Sequence, residues 1–325
     1  MIRFLKSPQP ATLFVIPVIV FLFWIQAFFT HPFVPDEPGS LLYNLITSLL
    51  NLLPDLVKVL ITIGLISFEA IYLNSIFNKY EVLEKNSYLP AFMYVLQMSF
   101  ALPLLQFHPV LLVNLVLLRA LDKIFMLFKN DSPISPLFDS CFLISIASLF
   151  YFPATVFFVL FLISLVILRT FNFREWMISF IGFVLPYFFL SVYLFWTNHL
   201  MDGWKDLLKN FIPKHPTFGF MMGKPLISLF VMTGFLVLLA TRKLIQNFYK
   251  NTVRTRSYQQ ILLLFFFFAA ASSLFLKTIP LYQVTLLTIP LVVFLGYYFL
   301  TVKKRIWFSE MLLWLMIVLI IWNHI

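Results

Sequence analysis

Residues 259–276 read QQILLLFFFFAAASSLFL, eighteen positions in succession without a charge. As a helix rising about 1.5 Å per residue, this run covers about 27 Å, close to the roughly 30 Å of hydrocarbon in a bilayer. Residues 11–29 and 306–322 form similar apolar runs. The rest of the chain follows suit: of 325 residues, 62% are hydrophobic, 11% are charged and 42 are Phe. A soluble domain carries roughly 25% charged residues, and here there are too few to coat a soluble core. The composition therefore reads as an all-α polytopic membrane protein and excludes a soluble enzyme, a secreted disulfide scaffold and a nucleic-acid-binding domain. A single cysteine, Cys141, excludes an internal disulfide and a thiolate-clustered metal site. The formal charge of +10 then belongs to loops that set orientation, not to a nucleic-acid partner.

Eleven hydrophobic spans are expected: 11–29, 54–77, 89–106, 109–128, 137–151, 153–169, 174–197, 225–241, 259–276, 279–300 and 306–323. The basic opening MIRFLKSPQP makes the first resemble an uncleaved signal anchor. With the N-terminus in the cytoplasm, 17 of the 23 basic residues fall on cytoplasmic segments, among them Lys79, Arg119, Lys123, Arg169 and Arg254. Five fall outside: Lys205, Lys209, Lys214, Lys224 and Lys277. This asymmetry sets the orientation, with the C-terminus outside and a multi-pass location in the cell inner membrane. The chain reads as one integral membrane domain, 1–325. It has an outer loop and interfacial helix at 30–53, an outer amphipathic loop at 198–224 and a basic cytoplasmic loop at 242–258.

Two outer segments are amphipathic. In 41–53, Asn44, Thr47, Ser48 and Asn51 form a narrow polar stripe on a Leu-rich helix that Pro54 separates from the next span. Ser40 is its candidate N-cap. In 200–211, Leu200, Trp204, Leu207, Leu208 and Phe211 fall opposite Asp202, Lys205, Asp206 and Lys209. Both are expected to lie in the interface.

Candidate chemistry gathers on the outer side. Asp36 and Glu37 are adjacent carboxylates in a turn-rich loop, available as a base or simply solvated. Lys58 is placed to pair with Asp55 three residues earlier. Lys205, Lys209, Lys214 and Lys224 offer cations for a phosphate-bearing lipid head, or a solvated rim. The five histidines, His31, His108, His199, His215 and His324, all fall on the outer side. None is spaced three or four residues from another, so no metal site is expected. Within the spans, Arg119, Asp122 and Lys123 are expected to neutralise one another, and Glu175 to suit a helix N-terminus. Glu69 is the one fair mid-membrane ionisable group, which disfavours an ion-coupled carrier.

Phe-Asp-Ser at 138–140, Ile-Ala-Ser-Leu-Phe-Tyr-Phe-Pro at 146–153, Asn-Phe-Arg-Glu-Trp at 172–176, Gly182 and Pro186-Tyr187 resemble an uncharacterised polytopic family of about this length, common in Flavobacteria and related Bacteroidota. Some of its members carry the label of carotene-cleaving oxygenases, a chemistry that would need histidines inside the membrane. The order of first span, acidic outer loop, interfacial helix and second span, with the short hairpin at 137–169, also resembles the GT-C glycosyltransferases. That resemblance implies an enzyme working at the outer face on a polyprenyl-phosphate-linked sugar, with Asp36 or Glu37 as the base that activates an acceptor hydroxyl. It also implies that Lys58, Lys205, Lys209, Lys214 and Lys224 hold the phosphate, with His31 and Asn44 beside the substrate. It names no cofactor. The competing classes are a non-catalytic envelope-assembly subunit and a lipid or solute carrier. A deep polar cleft opening outward distinguishes the enzyme; a filled bundle distinguishes the subunit.

Overall fold

The computed structural model describes residues 11–29, 41–83, 86–209, 217–220, 223–276, 278–302 and 306–324. Among them are thirteen α-helices: α1 (Ala11–Phe23), α2 (Leu41–Leu50), α3 (Asp55–Lys79), α4 (Leu89–Met98), α5 (Pro109–Phe125), α6 (Ile134–Phe150), α7 (Phe157–Leu168), α8 (Phe173–Trp196), α9 (Leu200–Lys209), α10 (Lys224–Asn247), α11 (Val253–Ala271), α12 (Thr288–Thr301) and α13 (Ile306–His324). A short parallel bridge joins β1 (Thr217–Phe218) to β2 (Thr278–Ile279).

Local chemistry explains where the helices begin and break. Asn172 and Thr252 cap α8 and α11 by accepting from the backbone N–H of Arg174 and Thr255. Proline occupies the first turn of α4, α5 and α10, where its missing N–H is not needed. The span expected over 89–106 is not one helix: α4 ends at Met98, and a 3-10 turn at Leu102–Leu104 contains Pro103, which cannot extend the hydrogen-bond ladder. The span expected over 279–300 likewise opens with a 3-10 segment, Leu281–Leu287, before α12 begins. In the other direction, α10 runs past the predicted 241 to Asn247, because a helix continues into water after its apolar stretch ends.

Side-chain pairs gather the helix ends into two groups. At the basic end, Lys79 Nζ meets Asp122 Oδ1 at 2.9 Å, and Arg119 lies 3.5 Å from the same carboxylate. Tyr258 donates to the Phe125 carbonyl, and Gln259 to the Val82 carbonyl. Arg169 bonds Glu175 at 3.1 Å. One expectation changes here: Lys123 does not share the Asp122 cluster but reaches across to Asp139 of α6 at 2.7 Å, so a residue on a neighbouring helix replaces the sequence neighbour. Glu175 stands in the first turn of α8 as expected, buried with Arg169 as its cation. At the opposite end, Trp24 Nε1 donates to Ser99 Oγ, His324 Nε2 lies 2.9 Å from the Ser99 carbonyl, and Gln26 donates to the His324 carbonyl.

Six helical stretches are long and apolar enough to cross a membrane; the apolar segments Leu89–Met98, Ile134–Phe150 and Phe152–Leu168 are shorter. α12 is enclosed almost entirely by protein, between α4, α10 and α11. α8 lies on the rim and exposes Phe180, Val184, Phe188 and Phe195. Aromatic and aliphatic side chains laid open along whole helices are the surface of a protein solvated by lipid. This is a helical membrane protein. α6 packs closely on α8 through small residues, with Cys141 against Ser179 and Gly182. A Cβ on Gly182 would stand 2.8 Å from the Phe138 carbonyl oxygen.

Candidate functional site

α2 lies against α6 at the end opposite the basic one. Tyr43, Thr47 and Leu50, spaced four and three residues apart, form its buried face, and Tyr43 stacks on Phe107 at 6.1 Å. The expected polar stripe therefore divides. Thr47 is buried and returns its hydroxyl to the Asn44 carbonyl, whereas Asn44, Ser48 and Asn51 remain exposed.

Asn44 and Ser48 open onto a groove of about 670 Å³. Leu42 and Leu45 of α2 share one wall with them; Phe142 and Leu149 of α6 and Pro186, Phe189, Leu190 and Tyr193 of α8 make the others. The volume falls within the roughly 300–1,000 Å³ typical of small-molecule sites. Tyr193 apart, the other walls are apolar, so the groove suits a ligand with a hydrocarbon portion. Behind it, Ser148 and Tyr187 share a 2.6 Å hydrogen bond, and Tyr187 stacks on Trp204 of α9. Asn198, at φ 59°, turns the chain from α8 into α9 in the left-handed conformation that asparagine tolerates.

Of the predicted site residues, Asn44, Lys58, Lys205 and Lys224 have described side chains. Asn44 lines the groove. Lys58 is bound to Asp55 at 3.0 Å and largely covered, so it is not presented to a phosphate. Lys205 is exposed and only 3.9 Å from Asp202, and Lys224 is exposed at the start of α10. Lys209 closes α9, with its side chain outside the description. His31, Asp36, Glu37 and Lys214 lie outside the described residues.

A second polar group lies inside the bundle, and sequence reasoning reached only one member of it. Tyr94 of α4 donates to Glu69 Oε2 of α3 at 2.8 Å, and Asn114 of α5 donates to the Thr285 carbonyl at 3.1 Å. Tyr151 donates to Gln283 Oε1, and Gln283 donates to Ser272. His108, immediately before α5, stacks on Tyr282 at 5.3 Å. Burial alone pushes the His108 imidazole down to about 3, so it is neutral at physiological pH. Among the described residues, no three His, Cys, Asp or Glu side chains come together to hold a metal.

The motifs at 138–153 and 172–187 form the α6–α8 contact, and this contact is one wall of the groove. The chain belongs to DUF6427, a family of unknown function. The family profile matches residues 40–325, which takes in the groove and the Glu69–Tyr94 pair of this DUF6427 protein. No curated protein and no solved structure matches it.

Proposed function

We propose that this DUF6427 protein is a multi-pass inner-membrane protein of about eleven spans that holds a lipid-linked substrate at its outer face, in the manner of a GT-C glycosyltransferase. The observation that carries this reading is the groove between α2, α6 and α8: apolar on three sides, polar at Asn44 and Ser48, and set on the end opposite the basic residues. A polyprenyl chain fits the apolar walls, and its phosphate-linked sugar would sit at α2. Asp36 and Glu37 precede Leu41 by five and four residues. In this reading one of them removes a proton from the acceptor hydroxyl as its oxygen attacks the anomeric carbon. The bond from that carbon to the phosphate oxygen breaks, and the leaving phosphate keeps the electron pair against Lys205, Lys209, Lys214 and Lys224.

The test is complementation of a null strain with Asp36→Asn, Glu37→Gln and Leu190→Trp, the last filling the groove, while lipid-linked sugars are profiled. Loss of the base costs about 10²–10⁴ in rate, and a solvated carboxylate almost nothing. If all three variants accumulate normally and leave the profile unchanged, the transferase reading is wrong. A non-catalytic envelope-assembly subunit is then the alternative, and one observation favours it. The polar groups of Trp24, Gln26, Ser99 and His324 at that end are engaged with one another rather than with an open cleft.

A further inference from the structure

Glu69 lies fourteen residues into the 25-residue α3, about 21 Å along the helix from Asp55. It is 0% exposed. Of its two oxygens, Oε2 accepts from Tyr94 and Oε1 has no partner. The helices packed on α3 are α1, α4 and α5. The titratable group they turn toward Glu69 is Tyr94, and among the described residues no lysine, arginine or histidine pairs with it. Asn114 from α5 hydrogen-bonds to Tyr94, so the three helices meet at this point.

Glu69 is not the only buried polar group left incomplete here. Asn114 Oδ1, Gln97 Nε2 and His108 Nδ1 are buried without partners. Gln97 is one turn beyond Tyr94 on α4, toward Ser99, and His108 is six residues before Asn114, at the start of α5. Along the helices, Gln97 and His108 thus lie between the Glu69–Tyr94 pair and the end that carries the groove. In the other direction the row is thinner: Asn74 Oδ1 on α3 and Ser87 Oγ beyond it. Native proteins leave few buried polar atoms unsatisfied, and those that remain are ordinarily met by internal water.

An ionised carboxylate with no cation and no solvent is far costlier in hydrocarbon than its neutral acid. A metal ion would need several more oxygens at Glu69 than the Tyr94 hydroxyl supplies. The remaining ligand is a proton. We propose that Glu69 is a proton-binding site, loaded at neutral pH and in exchange with water at the groove-bearing end through Asn114, Gln97 and His108. One proton joins one carboxylate oxygen and leaves again along the same row; Tyr94 keeps its own proton and holds the other oxygen. This site is separate from the groove and does not depend on the reading given to it.

Infrared spectroscopy of the purified full chain, read against Glu69→Gln, tests this. The expected result at neutral pH is a carboxylic-acid C=O band that is lost in Glu69→Gln and shifts promptly on transfer to D₂O. Tyr94→Phe should move the band to higher frequency, which identifies it independently if Glu69→Gln fails to accumulate. Asn114→Leu should slow the deuterium shift, and Asn74→Leu should leave it unchanged. A carboxylate signature in place of the acid band, an acid band that does not exchange, or exchange slowed by Asn74→Leu and not by Asn114→Leu would each overturn the proposal.

Discussion

Tyr94 on α4 donates to Glu69 Oε2 on α3 across 2.8 Å, and neither residue is exposed. The bond ties together two helices that adjoin in sequence and pack on each other. Removing the hydroxyl leaves a buried carboxyl with no partner at either oxygen. Tyr94→Phe should therefore destabilise the protein by about 1–3 kcal/mol, read as a lowered thermal midpoint in detergent. An unchanged midpoint would mean that the bond is not made.

The α6–α8 contact gives a paired prediction on two glycines. At Gly182 an added Cβ meets the Phe138 backbone oxygen at 2.8 Å, whereas nothing lies within 4 Å of the corresponding position on Gly234. Gly182→Ala should cost about 1–3 kcal/mol because backbone must move apart. Gly234→Ala, in the open middle of α10, should be neutral or slightly stabilising. Equal effects in thermal denaturation would contradict the packing described.

His108 predicts a pH dependence with a definite sign. Its folded pKa is lowered from the ordinary 6.5 to about 3, so the folded state prefers the neutral ring. The stability that follows is complete above about pH 6.5 and is lost as the pH falls from there toward 3. His108→Asn should flatten that part of the stability curve relative to wild type. Parallel curves between pH 7 and pH 4 would show that the ring is not buried as described.

Cysteines placed at Asn44 and at Lys205 should both react with an impermeant thiol reagent added from outside, since both positions are exposed at the same end. Cys141 is buried and should stay silent. Protection of both sites in folded protein would reject the outer placement.

Gln26, in the first expected span, bonds the carbonyl of His324, the last residue of α13. If the basic end faces the cytoplasm, the residues around 324 lie outside, and a C-terminal reporter active only in the cytoplasm should be silent. Activity there would invert the orientation.

Run length was enough to find the long helices, because crossing hydrocarbon imposes one requirement that composition records directly. Their breaks were harder to place: α4 stops at Met98 and Pro103 turns the chain in a 3-10 segment while the residues around it stay apolar, so hydropathy passes over the break. The groove was half legible. The stripe containing Asn44 and Ser48 could be seen at helical spacing, but the wall supplied by Pro186 and Leu190 depends on α8 packing beside α6, a contact more than thirty residues away in the chain. Glu69 could be singled out as a charge in an apolar run. Tyr94, Asn114, Gln97 and His108 could not, since a tyrosine, an amide or a histidine carries no sign of which helix it will face. The pairing of Lys123 with Asp139 was missed for the same reason: local spacing favours i to i+4 partners, and the nearer carboxylate came from the next helix.

The ion pairs at the basic end acquire a further meaning when the order of events in biogenesis is considered. Lys79, Arg119, Lys123 and Arg169 each end up beside Asp122, Asp139 or Glu175 in the folded bundle. Segments enter the membrane one after another, and at that stage their acidic partners contribute little to the choice of side. If the basic end faces the cytoplasm, the lysines and arginines act first as unpaired cations that retain each loop on that side, and only later as one half of a contact that locks neighbouring helices. A substitution such as Asp122→Asn removes the second role and leaves the first, separating correct insertion from correct assembly within a single residue.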